Sequence, residues 1–295
     1  MIQEDVTLVV GADGLIGRAL ADHLVSAGKQ VIETTRRRDR ATKKRVFLDI
    51  SRDISRWSPP RDISVAYICA GVSSLEECRK YPIKSVIVNV NNTVELSKIL
   101  VKRGIFVIFL STNLVYNGSV PFRKADEPVC PLTEYGRLKA NAERQLLSLG
   151  KSISVVRFTK VLGATIPLFE GWAKALKNDE AIHPFSDMVI APVSIALAVD
   201  VLCRVGEVSL PGVLQVSGNK DITYKQVAMH IAEHIGCKSS LVQAIKFVEA
   251  YPDAEAAPTY TTLNTSRLRI ELKIKPPNIW SLINAIIDQN FEQLR

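Results

Sequence analysis

Tyr135 and Lys139 stand four residues apart at the start of an amphipathic stretch, so on a helix both side chains project from one face. A free phenol has a pKa of about 10, too high to exchange protons readily at neutral pH. A neighbouring ammonium favours the phenolate and lowers that value. The pair is therefore suited to protonating a carbonyl oxygen as hydride reaches its carbon, or to the reverse. Upstream, the apolar run at residues 105–110 ends in Ser111 and Thr112. One of these hydroxyls can hydrogen-bond the same oxygen as charge develops on it.

Hydride chemistry needs a carrier, and the chain offers a place for one. Gly11, Gly14 and Gly17 follow the apolar run Val6–Val10 within Gly11-Ala12-Asp13-Gly14-Leu15-Ile16-Gly17. In such a strand-to-helix turn, one glycine permits the turn and a second lets the backbone approach a pyrophosphate. A third allows close helix–strand packing, and the helix N-terminus supplies oriented N–H groups. The spacing is G-x-x-G-x-x-G, not the commoner G-x-G-x-x-G. The second strand is expected to end near Thr35, where an acidic residue would take the ribose 2′-hydroxyl of NAD. Here Thr35 is followed by Arg36, Arg37 and Arg38. Hydroxyl and guanidinium groups bind a 2′-phosphate, which predicts NADP, with NAD as the alternative.

The elements that must position these residues alternate in the first half. Strand-like runs fall at 6–10, 30–35, 45–48, 65–69, 105–110 and 153–157, with amphipathic helices at 15–27, 83–102 and 135–149 between several of them. That order predicts an α/β fold of Rossmann type, a doubly wound parallel sheet covered by helices on both faces. After about Phe158 the rhythm changes, with helices at 168–177, 194–205, 224–235 and 279–291 punctuated by prolines. Residues 1–160 are read as the NAD(P)-binding domain, joined by segments returning from the C-terminal half. Residues 161–295 are read as a smaller, mostly helical substrate lobe at the crevice.

Bulk properties narrow the classes. At 295 residues the chain is long enough for one large domain or two unequal ones, and 47% apolar with 23% charged residues is ordinary for a globular protein. The longest apolar runs fall short of a membrane span, and the acidic start Met1-Ile2-Gln3-Glu4-Asp5 shows no signal peptide. Five scattered cysteines, Cys69, Cys78, Cys130, Cys203 and Cys237, suit reduced thiols in a cytoplasm. His23, His183, His230 and His234 form no metal constellation, and packing or surface roles are expected for them. The net charge of +8 fits an anionic ligand. Nucleic acid is disfavoured, because aromatics are only 6% and the densest basic cluster sits where a cofactor-specificity loop falls.

The residues also resemble a known family. The glycine turn is followed by Cys69-Ala70-Gly71, Val88-Asn89-Val90, Leu110-Ser111-Thr112-Asn113-Leu114-Val115-Tyr116-Asn117-Gly118 and Tyr135-Gly136-Arg137-Leu138-Lys139 with Glu143. Val156-Arg157 and Gly163 match the exit from the sheet, and residues 213–218, Thr223 and residues 263–268 match the substrate lobe more loosely. Together they resemble the extended short-chain dehydrogenase/reductase family, most closely its dTDP-4-dehydrorhamnose reductase-like branch. The resemblance implies a triad of Thr112, Tyr135 and Lys139, with Tyr135 as acid/base and Lys139 also binding the nicotinamide ribose. It implies that Asn89 supports a proton-relay water. Gly11, Asp13, Gly14, Leu15, Ile16, Gly17, Cys69, Ala70 and Gly71 would line the cofactor, with Asp49 and Ile50 beside the adenine. Ser73, Asn113, Lys160 and Arg267 would face the substrate. Pairing through helices 83–102 and 135–149 into a homodimer is implied in the same way.

Three departures broaden the substrate expectation. Asn113 follows the catalytic threonine where the branch typically has aspartate, Arg79 stands where it usually has glutamate, and residues 193–198 lack an expected acid. A nucleotide-sugar keto reductase leads. An epimerase using the same cofactor transiently is the nearest alternative. A non-catalytic NADP-binding subunit, like the accessory subunit of methionine adenosyltransferase, is the third. A dehydratase needs a further acid/base pair, and Asn113-Leu114 offers no carboxylate.

Overall fold

The computed structural model describes residues 6–252, 255 and 257–291; the start at residues 1–5, expected to carry no signal peptide, lies outside them. Its centre is a seven-stranded, wholly parallel sheet. The strands are β1 (Val6–Val10), β2 (Gln30–Thr35), β3 (Arg45–Phe47), β4 (Ile63–Ile68), β5 (Phe106–Thr112), β6 (Ile153–Phe158) and a late strand at Gly212–Val216. Two-residue strands β7 (Val161–Leu162), β8 (Val189–Ile190), β9 (Val193–Ser194) and β11 (Ile222–Thr223) form two small ladders, so the late strand is β10. The order β10-β6-β5-β4-β1-β2-β3 is a doubly wound arrangement, as the alternation of segments predicts.

Every residue of β1, β5 and β6 is buried, which explains why they read as nearly continuous apolar runs. Alternation sends Leu8, Val10, Val107 and Phe109 to one face and Val9, Ile108 and Leu110 to the other. On the first face Leu96, Leu100 and Leu146 come from α4 (Thr93–Val101) and α5 (Glu134–Leu147). On the second, Leu20 and Leu24 of α1 (Leu15–Ser26) pack with Leu202 and Val205 of α7 (Ile195–Glu207).

Two expectations are corrected. The helix expected over 83–102 is α3 (Pro82–Val86), a π-helical turn at Ile87–Asn92, then α4. The wide turn leaves the carbonyl of Val88 to the Thr93 hydroxyl, which donates to it at 2.8 Å. The segment 213–218, read as part of the lobe, instead supplies β10, paired in parallel with β6 from Gly212↔Ser154 to Val216↔Phe158. Its apolar residues Leu214 and Val216 are fully buried once α7 carries the chain back across the sheet.

The rest of the second half packs α6 (Pro167–Lys177), α8 (Tyr224–His234) and α11 (Ile279–Phe291) around Phe169, Trp172, Leu176, Ile231, Ile283 and Ile287. His230 and His234 tie α8 to α11 through Asn284 and Asp288, which is the packing role expected of them. No described helix is long and apolar enough to cross a membrane.

Candidate active site

A cleft of about 560 Å³ opens at the C-terminal ends of the sheet strands, walled on its other side by the C-terminal half. Gly14, Leu15, Ile16 and Gly17 form one edge and Cys69, Ala70 and Gly71 the floor beside it. Gly11 adopts φ +89°, and a Cβ there would lie 2.7 Å from the Ala70 nitrogen. At Gly17 a Cβ would collide with the Gly11 carbonyl, so the turn and α1 can pack this closely only without side chains. Gly14 is the N-cap of α1, with no side-chain cap and no acid in the first turn. By contrast α5, α7 and α8 are capped by Thr133, Ser194 and Thr223. The first N–H groups of α1 and its positive end are thus left for an anion at the cleft, which fits a pyrophosphate.

The expected ribose end is built differently from the sequence reading. The Thr35 hydroxyl donates to Asp13 Oδ2 at 2.8 Å and accepts from the Arg37 N–H at 3.1 Å, so it is not a free phosphate ligand. The other Asp13 oxygen is held at 2.8 Å by Arg45, reaching over from β3. Arg36 and Arg37 lie exposed at the end of β2. Asp49 and Ile50 follow β3 outside the cleft lining. The Asp49 carboxyl, though burial opposes it, is held below its ordinary value by hydrogen bonds from Ser51 and by the charge of Arg52.

Tyr135 and Lys139 both enter the cleft from the first turns of α5. The helix starts where it does because the Thr133 hydroxyl accepts the Gly136 N–H at 3.0 Å. Gly136 is packed against the Leu114 carbonyl, leaving no room for a Cβ and seating the helix directly on the segment after β5. Lys139 is 6% exposed, and its ammonium donates to the Leu110 carbonyl at 2.5 Å. Burial pulls its pKa down to about 8, partly offset by Glu143. Burial pushes the Tyr135 phenol above its ordinary value, with the nearby Cys78 thiol adding to the effect. The expectation that Lys139 lowers the Tyr135 pKa is therefore corrected. Desolvation governs the phenol, and the ammonium is directed at the end of β5. The Tyr135 phenol therefore stays protonated at neutral pH.

Thr112, Asn113 and Asn89 also line the cleft. The Thr112 hydroxyl accepts the Leu114 N–H at 3.2 Å and caps the short turn Asn113–Val115. Its neighbour Ser111 is buried with its hydroxyl unpaired among the described residues. Both hydroxyls weighed from the sequence thus reach the cleft, one engaged and one free. Asn89, on the π-helical turn, accepts the Val72 N–H at 2.8 Å and donates to the Val72 carbonyl at 2.9 Å. Its side chain is clamped onto the loop after β4, a different use from the relay water that the resemblance implies.

Of the residues expected at the substrate, Ser73, Asn113 and Lys160 line the cleft. Arg267 does not. It donates to the Val213 carbonyl at 2.8 Å and to Pro211 at 2.7 Å, at the N-terminal end of β10 and away from the crevice. Sequence reading missed Met188, Ile190, Tyr224, Pro258 and Thr261, all from the C-terminal half. Thr261 is brought in because Asp221 accepts from the backbone and hydroxyls of both Thr261 and Thr262. Only the capping box Thr223-x-x-Gln226 that starts α8 beside Tyr224 was available as a local signal. Among the described lining residues the charged groups are Lys139 and Lys160, and no carboxylate is present.

A doubly wound sheet with a glycine turn and a Tyr–Lys pair in one crevice defines an NAD(P)-type short-chain dehydrogenase/reductase architecture. The chain belongs to the family described as RmlD substrate binding domain, which matches residues 6–291. This family is one of nucleotide-sugar-modifying oxidoreductases and epimerases, within the extended group that the sequence resembles. The spore coat polysaccharide biosynthesis protein SpsK of Bacillus subtilis is 24% identical over 91% of this chain and 92% of its own. Methionine adenosyltransferase 2 subunit beta of Xenopus laevis is 24% identical over 83% of this chain and 78% of its own. The dTDP-4-dehydrorhamnose reductase of Bacillus anthracis, solved with NADP, superposes with a TM-score of 0.80 at 18% identity, covering 98% of both chains.

Proposed function

We propose that this protein is an NADPH-dependent reductase of a keto group on a nucleotide-linked sugar. The observation that carries the reading is the meeting of Thr112, Tyr135 and Lys139 with an uncapped glycine-turn helix in one cleft that, among its described lining residues, carries lysines and no carboxylate. Gly14–Gly17 and the N–H groups of α1 would hold the cofactor pyrophosphate, and Lys139 the ribose nearer the chemistry. NADPH would supply the hydride. Tyr135, protonated because it is buried, donates its proton to the carbonyl oxygen, and the Thr112 and Ser111 hydroxyls hydrogen-bond that oxygen as charge develops. Lys160, exposed at the exit of β6 on the cleft wall, is placed to meet an anionic substrate. Asn113 cannot take a proton, which argues against elimination chemistry here.

A second reading is favoured by the match to methionine adenosyltransferase 2 subunit beta over most of the chain: an NADP-binding subunit with no turnover of its own. The test is NADPH binding followed by fluorescence, and NADPH oxidation with dTDP-, UDP- and GDP-linked 4-keto sugars. Substrate-dependent oxidation supports the reductase. Binding with no oxidation by any sugar would shift the assignment to the subunit, and sugar interconversion without net oxidation to an epimerase.

A further inference from the structure

The glycine turn carries an acid, Asp13, at the place where the adenosine ribose of a bound dinucleotide is expected. The end of β2 marks that place in doubly wound folds, and Thr35 at its tip donates to Asp13 Oδ2. A free carboxylate there accepts the 2′- and 3′-hydroxyls of NAD and repels a 2′-phosphate. Asp13 is not free. Arg45 holds its Oδ1 at 2.8 Å, so both carboxylate oxygens are engaged. The Nε of Arg45 in turn lies 3.4 Å from Glu33 Oε2, an ion pair without hydrogen-bond geometry. Arg18 adds a contact to the Asp13 carbonyl at 3.3 Å, and Arg36 and Arg37 are exposed nearby at the tip of β2.

We infer that Arg45 sets the coenzyme preference by occupying Asp13. With Arg45 in place, the carboxylate is neutralised and unavailable to ribose hydroxyls, and a guanidinium stands beside the position of a 2′-phosphate. With Arg45 removed, Asp13 becomes the acceptor of an NAD-type site. Preference is therefore held by an edge strand reaching back to the glycine turn, beyond the arginines that directly follow β2. The inference rests on the proposed reading that this cleft binds a nicotinamide dinucleotide.

The experiment is fluorescence titration of NADPH and NADH against the full chain and its Arg45→Gln and Asp13→Asn variants. Arg45→Gln is expected to lower the NADPH-to-NADH affinity ratio by about tenfold or more, the scale of one charge-assisted contact. Asp13→Asn removes the carboxylate that engages Arg45 and frees its guanidinium for a 2′-phosphate, so it is expected to raise the same ratio. Opposite movements separate a specificity device from general damage, which would weaken both coenzymes together. A ratio unmoved in both variants, or a parallel loss of both affinities, overturns the inference while leaving dinucleotide binding intact. A wild-type protein that binds neither coenzyme overturns the proposed function itself and this inference with it.

Discussion

Glu255, carried by the C-terminal half, accepts the backbone N–H of Glu134 at 2.8 Å, one residue before Tyr135. The second wall of the cleft is thereby fastened to the first turn of the helix that holds the Tyr–Lys pair. Arg137 lies 3.9 Å from the same carboxylate. A negative charge at a helix N-terminus contributes about 0.3–1 kcal/mol, up to about 2 in partly buried settings. Glu255→Ala is expected to cost about 1 kcal/mol in urea denaturation and to raise KM for the sugar more than it lowers kcat. An unchanged KM would show that the fastening does not position the site.

Tyr135→Phe removes one hydroxyl and leaves the glycine turn and Lys139 untouched. Turnover is expected to fall by about 10²–10⁴-fold, the range of a general acid, with NADPH affinity kept within about twofold. Steady-state rates and a binding titration on the same preparation check both halves. Full activity in this variant rules out the proposed proton donor.

The buried Lys139 ammonium gives stability a pH signature. Its pKa is about 8 in the folded protein against 10.5 ordinarily. Between those values the unfolded chain binds more protons, so unfolding becomes less favourable as pH rises through that window. Relative to Lys139→Met, which lacks the group, the wild type is expected to gain stability from about pH 8 to pH 10. Thermal denaturation of both proteins across that range measures the difference, and a flat difference contradicts the burial of a charged amine.

Arg157 and Glu143 form a bidentate pair, with contacts of 3.0 Å through Nε and 2.7 Å through the terminal nitrogen, at 4% and 3% side-chain exposure. Arg157 also donates to the Tyr116 hydroxyl at 2.6 Å. Removing one partner strands a buried charge, so Glu143→Ala is expected to cost about 3–5 kcal/mol. Replacing both by leucine is expected to cost less than the sum of the single changes, because no lone charge remains. Urea denaturation of the singles and the double gives the comparison.

The first six sheet strands and the helix carrying Tyr135 and Lys139 were legible because their signals are local. The apolar run Val6–Val10 flows into spaced glycines, and Tyr135 and Lys139 share a helical face whatever surrounds them. Arg45 was not legible, since its reach from β3 to Asp13 depends on the pairing of Thr35 with Phe47 and on the turn above it. The cleft residues Tyr224 and Thr261 were hidden for the same reason, being placed by tertiary contacts such as those to Asp221. Arg267 misled because a cation near a family-like motif reads as a ligand, when here its hydrogen bonds serve two backbone carbonyls. The effect of Lys139 on Tyr135 failed because spacing along a helix fixes proximity but says nothing about desolvation.

The return of the chain to lay β10 beside β6 bears on how such a protein can change over generations. A genetic crossover placed between residue 160 and residue 212 would hand the first six sheet strands to one parent and the seventh to the other. A swap of the end of the gene therefore exchanges a sheet strand together with the cleft wall, whereas changes in the loops flanking β8 and α8 leave the sheet whole.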